Sequence, residues 1–329
     1  YYQSQSYGLV QMNFSYTPIE NSTGLPESIS FGKYAADYMP TKDAPEKFVQ
    51  KLIDLSKASW RINSFDGVIY LYADSVNKDG GYAWSFSPGA AVTNSGDKEL
   101  FSSSGPMDSV VMGDFDIPLI EHEIGHSIFR FLDLYQHGSP LNHTSTYDLM
   151  GDGLHADSNL FAWHRWLWGW IKDSQVDCIQ KPGVTNHLLT ELNGNNPGKK
   201  AIIIQRSTNS GVAIEQRGNQ IIVYSIDLSI GNGQGPIKVS KQNSKLGLPG
   251  ETLADFGVTV KVLSCNMNNC NISVDNSIAG TDKSIQSIQD GPSNNLAIPE
   301  MGAYPESPTS AKIVFKATNY KSYEVRILN

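Results

Sequence analysis

Long apolar runs and positive charge are both scarce in this sequence, and each shortage excludes a class of protein. No apolar run among the 329 residues approaches the roughly 20 that cross a bilayer, although 40% of the chain is hydrophobic. The formal net charge of -8 leaves no basic stripe to neutralise phosphates, so nucleic acids and anionic membranes are poor partners. We therefore expect a soluble protein that binds no nucleic acid and no membrane, with two domains, as chains of this length commonly have.

Cysteines are scarce as well, since the chain contains only 3. Cys265 and Cys270 flank a turn-forming NMNN run between two strand-like segments, so a hairpin can bring them within bridging reach. Cys178 is left over, and we predict that it is unpaired. Such a bridge favours an oxidising compartment. The chain starts at Tyr1 with no charged-then-apolar segment before it, so we expect a processed or trimmed mature form.

The pattern of the sequence changes near residue 175. Before it, the opening YGLVQMNFSY reads as extended, residues 44–59 as a helix, and GVIYLYA as a buried strand. After it, short strands alternate with turns: AIIIQ, GVAIEQR, QIIVYSIDL, VTVKVL, AKIVFKA and YEVRIL. The sequence thus predicts an α+β protein, with one domain over residues 1–175 and a β-rich, sandwich-like domain over residues 176–329.

A tryptophan-rich segment, NLFAWHRWLWGWI, closes the first of these parts. Its Trp163, Trp166 and Trp170 fall at helical spacing. Large aromatic side chains at this spacing are typical of a helix face that packs into the core. We therefore predict a structural role for them rather than a platform for a ligand.

Residues 121–135, EHEIGHSIFRFLDLY, carry the pattern of a metal site. His122 and His126 project from one face of a helix, one turn apart, which is the geometry that two imidazoles need to share a zinc ion. Glu123 points slightly aside, where it can take a proton from an attacking water without binding the metal itself. The remaining histidines are predicted to be surface or packing residues: His137, His143, His155, His164 and His187.

A catalytic zinc needs a third protein ligand, and its position distinguishes the classes of zinc protease. No glutamate occurs between Glu123 and Glu191, which argues against a thermolysin-like site with a glutamate on a following helix. In metzincins the helix ends soon after the second histidine and the returning chain supplies the ligand. Asp133 fits that position, and His137 is the rival.

The position of Asp133 also predicts where the helix ends. A helix that continued through Leu132 would place Asp133 about 16 Å from His122 along the axis, because each residue rises about 1.5 Å. Ligands of one zinc lie within a few ångströms of each other. We therefore predict that the helix stops between Ser127 and Leu132, in a widened or irregular final turn that brings Asp133 back toward the histidines.

HEIGHSIFRFLDLY, the later YDLMG and the tryptophan-rich segment together resemble the immune inhibitor A family of secreted bacterial metalloproteases. That family has HExGHxxGxxD, then D-E/L-Y and a W/Y-D-L-M turn. YYQSQSYGLVQM, FDGVIYLYADS and GVAIEQRGNQIIVYSID resemble it more weakly. The chain departs from the pattern at one point, since SIFRFL lacks the family glycine and the spacing to the aspartate is one residue longer.

The resemblance implies a zinc endopeptidase, secreted as a proenzyme, with a metzincin-like zinc protease domain of mixed sheet and active-site helix. It implies these site residues: the zinc ligands His122, His126 and Asp133, the general base Glu123, and Met150 in the turn beneath the metal. Members of this group often bind calcium as well, so calcium is a possible second cofactor. The implied substrates are proteins or peptides, and we expect a monomer.

Two functions of different classes remain open on the sequence. The first is a zinc protease, and the second is a catalytically silent binding or adhesion protein on a metalloprotease scaffold with a structural metal. Glu123 favours the enzyme, because a structural zinc needs no base. An enzyme also requires a donor for the tetrahedral oxyanion. Tyr147, His155 and Arg165 are candidates, and the sequence does not choose among them.

Overall fold

The computed structural model describes residues 1–12, 67–71, 83–86, 108–112, 117–129, 131–136, 143–151, 159–241, 246–277, 312–315 and 325–328. Backbone contacts divide the chain into two units, one formed by Met12–Phe131 and the other by Tyr1–Gln11 with Leu132–Asn329. The described elements are of mixed α/β type, with many strands and few helices. The domain boundary between residues 175 and 176 stays a prediction.

The unit Met12–Phe131 contains a mixed three-stranded sheet. Strand β1 (Gly67–Leu71) pairs in parallel with β3 (Asp108–Met112), and β2 (Ala83–Phe86) pairs antiparallel to the other side of β3. The helix that follows, α2 (Ile117–Ser127), contacts β2 and β3. The strand predicted from GVIYLYA is therefore confirmed, whereas the helix predicted over residues 44–59 lies outside the described residues.

The other unit is built mainly from strands. They are β4 (Val176–Ile179), β5 (Val184–Thr190), β6 (Ala201–Gln205), β7 (Ser210–Arg217), β8 (Gln220–Asp227), β9 (Ile237–Val239), β10 (Thr252–Asp255), β11 (Val258–Cys265), β12 (Asn269–Asp275), β13 (Lys312–Phe315) and β14 (Val325–Leu328). They form a five-stranded sheet in the order β4-β6-β7-β8-β9, a four-stranded sheet in the order β10-β11-β12-β5, and the pair β13-β14. Each of the six segments predicted as strands after residue 175 overlaps one of these strands.

A single apolar cluster takes side chains from both larger sheets. Val212 and Ile214 of β7 contribute from the five-stranded sheet, while Val260 of β11 and Ile272 of β12 contribute from the four-stranded one. All four side chains are at most 2% exposed. Alternation along each strand directs every second residue into this cluster, which is the pattern that the sequence predicted for a β-rich, sandwich-like region.

The opposite face of the five-stranded sheet is covered by residues 160–171. Phe161 stacks on Tyr224 of β8 with the ring centroids 4.3 Å apart. Trp163 and Trp170 are each 3% exposed, so the predicted packing role of these two tryptophans is confirmed. The helix is shorter than predicted, however, because α3 spans only Ala162–Leu167. Gly169 ends it with a φ of 69°, a value that favours glycine.

The predicted extended segment YGLVQMNFSY covers residues 7–16, of which the structure describes residues 7–12 as a turn followed by chain without a strand. Residues 1–12 contain the short helix α1 (Tyr2–Gln5) and no strand. The Gln5 side chain at the end of this helix accepts hydrogen bonds from the Leu160 backbone (2.9 Å) and from the buried guanidinium of Arg165 (2.6 Å). A local pattern cannot reveal contacts that lie more than 150 positions away along the chain.

The structure also brings together the two cysteines of the β11-β12 hairpin. Cys265 and Cys270 face each other at disulfide distance, with their Cα atoms 4.0 Å apart, and Cys178 is free and exposed. The predicted pairing is therefore confirmed. None of the helices in the described part of the chain is long and apolar enough to cross a membrane.

Candidate metal centre

Helix α2 carries the two histidines of the HEIGH motif on one face. The Nε2 atoms of His122 and His126 lie 3.0 Å apart, with the rings edge to face. His122 is only 4% exposed. Two ligands bonded at about 2.0 to 2.1 Å to one tetrahedral ion are about 3.3 Å apart, so this separation suits a shared ion.

The exit of helix α2 is wide, as predicted. The helix ends at Ser127, and the Phe131 backbone N–H then donates to the Gly125 carbonyl, six positions back, over 3.1 Å. Phe129 and Phe131 are 2% and 3% exposed, and their rings stack with centroids 5.7 Å apart. Burial of these two rings stabilises the turn in which the chain reverses direction after α2.

This exit also orients His126. Its Nδ1 lies 2.6 Å from the Phe131 carbonyl oxygen. Because a carbonyl oxygen only accepts, Nδ1 must carry the proton, and in the neutral ring Nε2 then has the lone pair. A hydrogen bond of this kind to the second ring nitrogen is what fixes the tautomer of histidines that bind metals. The lone pair of His126 therefore points at the position that it shares with His122.

Asp133 completes the group. One ligand atom each from His122, His126 and Asp133 can be chosen so that all three lie within 4.8 Å of one another. The Asp133 side chain is buried, with 6% of the residue exposed. Two imidazoles and a carboxylate within this distance can hold a metal ion, and they come from one continuous stretch of chain. The rival ligand His137 lies outside the described residues.

Glu123 follows the first histidine on α2 and is 7% exposed. It is therefore a buried carboxylate one residue from a metal ligand. A buried carboxylate in that place is suited to accept a proton from a reacting group, since its geometry is held by the helix.

The YDLMG segment is held by a buried carboxylate. Met150 is completely buried, and its carbonyl accepts a hydrogen bond from the Leu134 N–H, one residue after the ligand Asp133, over 3.0 Å. Asp148, also fully buried, accepts from the Met150 N–H (2.8 Å) and from the Phe161 N–H (2.6 Å). This turn is therefore tied directly to the residues that follow Asp133.

A second layer of buried charge supports the same turn. Arg217 donates to the Tyr147 carbonyl and pairs with Glu215 at 2.6 Å, while Glu215 accepts from the Ala162 N–H at 2.7 Å. Burial acts to lower the pKa of Arg217, but the Glu215 and Asp148 carboxylates outweigh it and hold that pKa above its ordinary value. No sequence motif identified these residues, and the only signal was the pair of charges, Glu215 and Arg217, at the end of a largely apolar strand.

A polar cavity of about 650 Å³ lies beside Asp133. It is lined by Gln136, His143, Asn232, Gly233, Gln234 and Lys238. Burial and the charges of Lys238 and Lys241 lower the pKa of His143. The cavity is thus a polar surface next to a potential metal ligand, lined by groups that can form hydrogen bonds.

The other predicted residues are distributed as follows. His164 lies 3.1 Å from the Asp148 carboxylate, and His187 lies 2.8 Å from that of Asp177, so both have structural partners away from the three ligands. Arg165 is completely buried and donates to neighbouring side chains and carbonyls, which makes it unavailable to an oxyanion. Tyr147 is half-buried beside the turn and remains a candidate, whereas His155 lies outside the described residues.

Comparison with family models, with curated proteins and with solved structures found no match for this chain. The chemistry of His122, His126, Asp133 and the buried Glu123 therefore bears on function by itself.

Proposed function

We propose that this protein is a zinc-dependent endopeptidase of the immune inhibitor A type. One observation carries the proposal: two histidines and an aspartate converge within 4.8 Å, and a buried glutamate directly follows the first histidine on the same helix. A site that only stored or structured a metal would need no such carboxylate. Two imidazoles with one carboxylate are ligands that zinc accepts, and three protein ligands leave a position open for chemistry.

Each residue has a defined task in this proposal. Zinc, when bound, supplies a Lewis acid that polarises the peptide carbonyl and makes a water molecule more acidic. Glu123 accepts the proton of the water as its oxygen attacks the carbonyl carbon, and later gives that proton to the leaving amine nitrogen as the C–N bond breaks. His122 and His126 would hold the ion through their Nε2 atoms, and Asp133 would hold it through a carboxylate oxygen.

The metzincin-like architecture and the location belong to the same proposal. The helix that ends directly after the second histidine, the returning chain with Asp133 and the fully buried Met150 all support it. A secreted protein would also suit the Cys265–Cys270 pair, because disulfides persist in oxidising compartments. Protein or peptide substrates follow from the reaction, and calcium stays a possible second cofactor.

The test is cleavage of a peptide library by the wild-type protein and by Glu123→Gln. We expect cleavage that a zinc chelator abolishes and added zinc restores. The glutamine variant should keep its zinc, since Glu123 is not a ligand, and lose activity by about 10² to 10⁴-fold, the usual contribution of a general base. A wild-type protein that binds zinc and cleaves nothing would instead support the silent scaffold, and normal turnover by the variant would remove Glu123 from the mechanism.

A further inference from the structure

We propose that Asn232 is a positioning residue of the metal centre. Its side chain forms hydrogen bonds with both the backbone N–H and the carboxylate of Asp133, and it holds that carboxylate in the orientation that binds the ion. The proposal rests on the metal centre described above and concerns a residue far from it in sequence. Asn232 lies 99 positions after Asp133, in the loop between β8 and β9.

Three hydrogen bonds join this loop to Asp133. The Asp133 N–H donates to Asn232 Oδ1 over 2.6 Å, and Asn232 Nδ2 donates to Asp133 Oδ2 over 3.4 Å. In addition, the Gly233 N–H donates to the Asp133 carbonyl over 3.1 Å. The backbone on both sides of Asp133 and its side chain are therefore all held by two consecutive residues.

The side chain of asparagine suits this task because it is both an acceptor and a donor. Its carbonyl oxygen accepts from a backbone N–H while its NH₂ group donates to a carboxylate, and neither Asp nor Leu could do both. A carboxylate that accepts on one oxygen keeps its second oxygen available for a metal. Such outer hydrogen bonds orient the groups that bind a metal and tune their affinity.

Asp133 needs this support because no regular element holds it. It follows the wide exit of α2, in residues that form neither helix nor strand. Both histidines, by contrast, project from the regular helix α2. Ordering such a side chain costs conformational entropy, and the hydrogen bond from Asn232 Nδ2 to the Asp133 carboxylate helps to offset that cost.

The loop that carries Asn232 is itself fixed. Gly233 and Gly235 have φ values of 64° and 75°, which favour glycine, and a Cβ on Gly235 would lie 2.4 Å from the His143 ring. Next to them, Gln234 forms an isolated antiparallel bridge with Gln136. A short GNGQG run between two strands is therefore closed in one conformation against the chain that follows Asp133, which gives Asn232 a defined position.

The test compares metal binding by wild-type protein, Asn232→Ala, Asn232→Gln and the control Asn209→Ala. Asn209 is exposed in another loop of the same sheet, so its loss should be neutral. We expect Asn232→Ala to weaken zinc binding about 10 to 100-fold in competition with a chromophoric chelator, the usual effect of losing such a partner. The visible spectrum of the cobalt-loaded protein should change with it, and Asn232→Gln, which keeps the amide, should recover part of the affinity.

Thermal unfolding of the metal-free proteins checks that the variants are folded, which we expect because Asn232 is exposed. A zinc affinity and cobalt spectrum of Asn232→Ala equal to those of the wild type would overturn the inference. So would an equal loss in Asn209→Ala. Neither result needs the enzyme to be active, and both leave the proposed function intact, whereas failure of the wild type to show chelator-sensitive cleavage refutes the proposed function whatever the variants bind.

Discussion

At the scale of single residues, the facing Nε2 atoms of His122 and His126 can be satisfied in two ways, by a hydrogen bond between the rings or by a shared cation. Their Nε2 atoms are 3.0 Å apart, and the proton of His126 is already committed to the Phe131 carbonyl. Unless His122 carries its proton on Nε2, two lone pairs meet. A bound ion removes this conflict, because both nitrogens can then donate electron density to the same centre.

The third ligand gives the sharpest test at this scale. Asp133→Ala should weaken zinc binding strongly in folded protein, because it removes the only carboxylate of the converging group, whereas His137→Ala should leave zinc binding intact. Zinc content after dialysis, measured on protein whose circular dichroism is unchanged, decides between them. The reverse result would exchange the roles of the two residues.

At the scale of elements, the convergence of the three candidate ligands depends on how helix α2 ends. The i to i−6 hydrogen bond from Phe131 to Gly125 spans more chain than a regular helical turn and absorbs the additional residue before Asp133. Many helices end at a glycine in a left-handed conformation, and α2 does not. Burial of the Phe129 and Phe131 rings contributes to stabilising its end instead. Phe131 thus ends the helix through its N–H and orients His126 through its carbonyl oxygen.

The cysteine pair of the β11-β12 hairpin predicts a contribution to stability. The Cys265–Cys270 pair has a sequence separation of 5, and closing so short a loop stabilises a protein by about 2 kcal/mol in the chain-entropy account. We expect Cys265→Ala/Cys270→Ala to lower the free energy of unfolding by that amount in urea, with Cys178→Ala as the control. Peptide mapping without reductant should find Cys178 unbonded, and a bridge from Cys178 within the chain would contradict the pairing.

At the scale of the whole molecule, two buried cations anchor the first residues of the chain. Arg165 and Lys200 are at most 1% exposed, and both lie over the ring of Tyr7, at 5.7 and 5.6 Å from its centroid. Lys200 donates to the Glu191 and Gly194 carbonyls at 2.6 Å each. The Tyr7 ring thus lies beside two buried cations, and Arg165 also donates to the Gln5 side chain, which holds the first residues of the chain in place.

Lys200 predicts a dependence of stability on pH. Burial lowers the pKa of Lys200 to about 8, against the opposing pull of the Glu191 carboxylate. The unfolded chain, with an ordinary lysine pKa near 10.5, therefore binds more protons than the folded protein above about pH 8, and the free energy of unfolding rises with pH in that window. By pH 9 the rise from this residue is about 1 kcal/mol.

Urea unfolding at about pH 7 and pH 9 measures this rise as a difference between proteins. The wild type and the exposed-lysine control Lys261→Met should share it, whereas Lys200→Met should lack it. Lys200→Met will also be less stable than the wild type at both pH values, because the Glu191 and Gly194 carbonyls lose their donor. Only the change in the free energy of unfolding between the two pH values is therefore diagnostic. Equal changes in all three proteins would contradict the prediction.

The sequence alone determined what local periodicity encodes. Two histidines four apart on an 11-residue helix must share a face, and alternating apolar residues must form strands with one buried side. The end of α2 before Leu132 also followed from the sequence, because a continued helix would have separated Asp133 from His122 by about 16 Å. The Cys265–Cys270 pair followed in the same way from a turn between two strands.

Tertiary structure decided everything that depends on contacts between distant segments. Three hydrogen bonds are examples. Arg165 donates to Gln5 near the start of the chain, and the Phe161 N–H donates to Asp148 in the YDLMG turn. The Asp133 N–H donates to the Asn232 side chain. No local pattern reveals the partners of Gln5, Asp148 or Asn232, because each is a common polar side chain in an ordinary helix, turn or loop. Their partners are chosen by the packing of sheets and helices, which brings together positions as many as 160 residues apart.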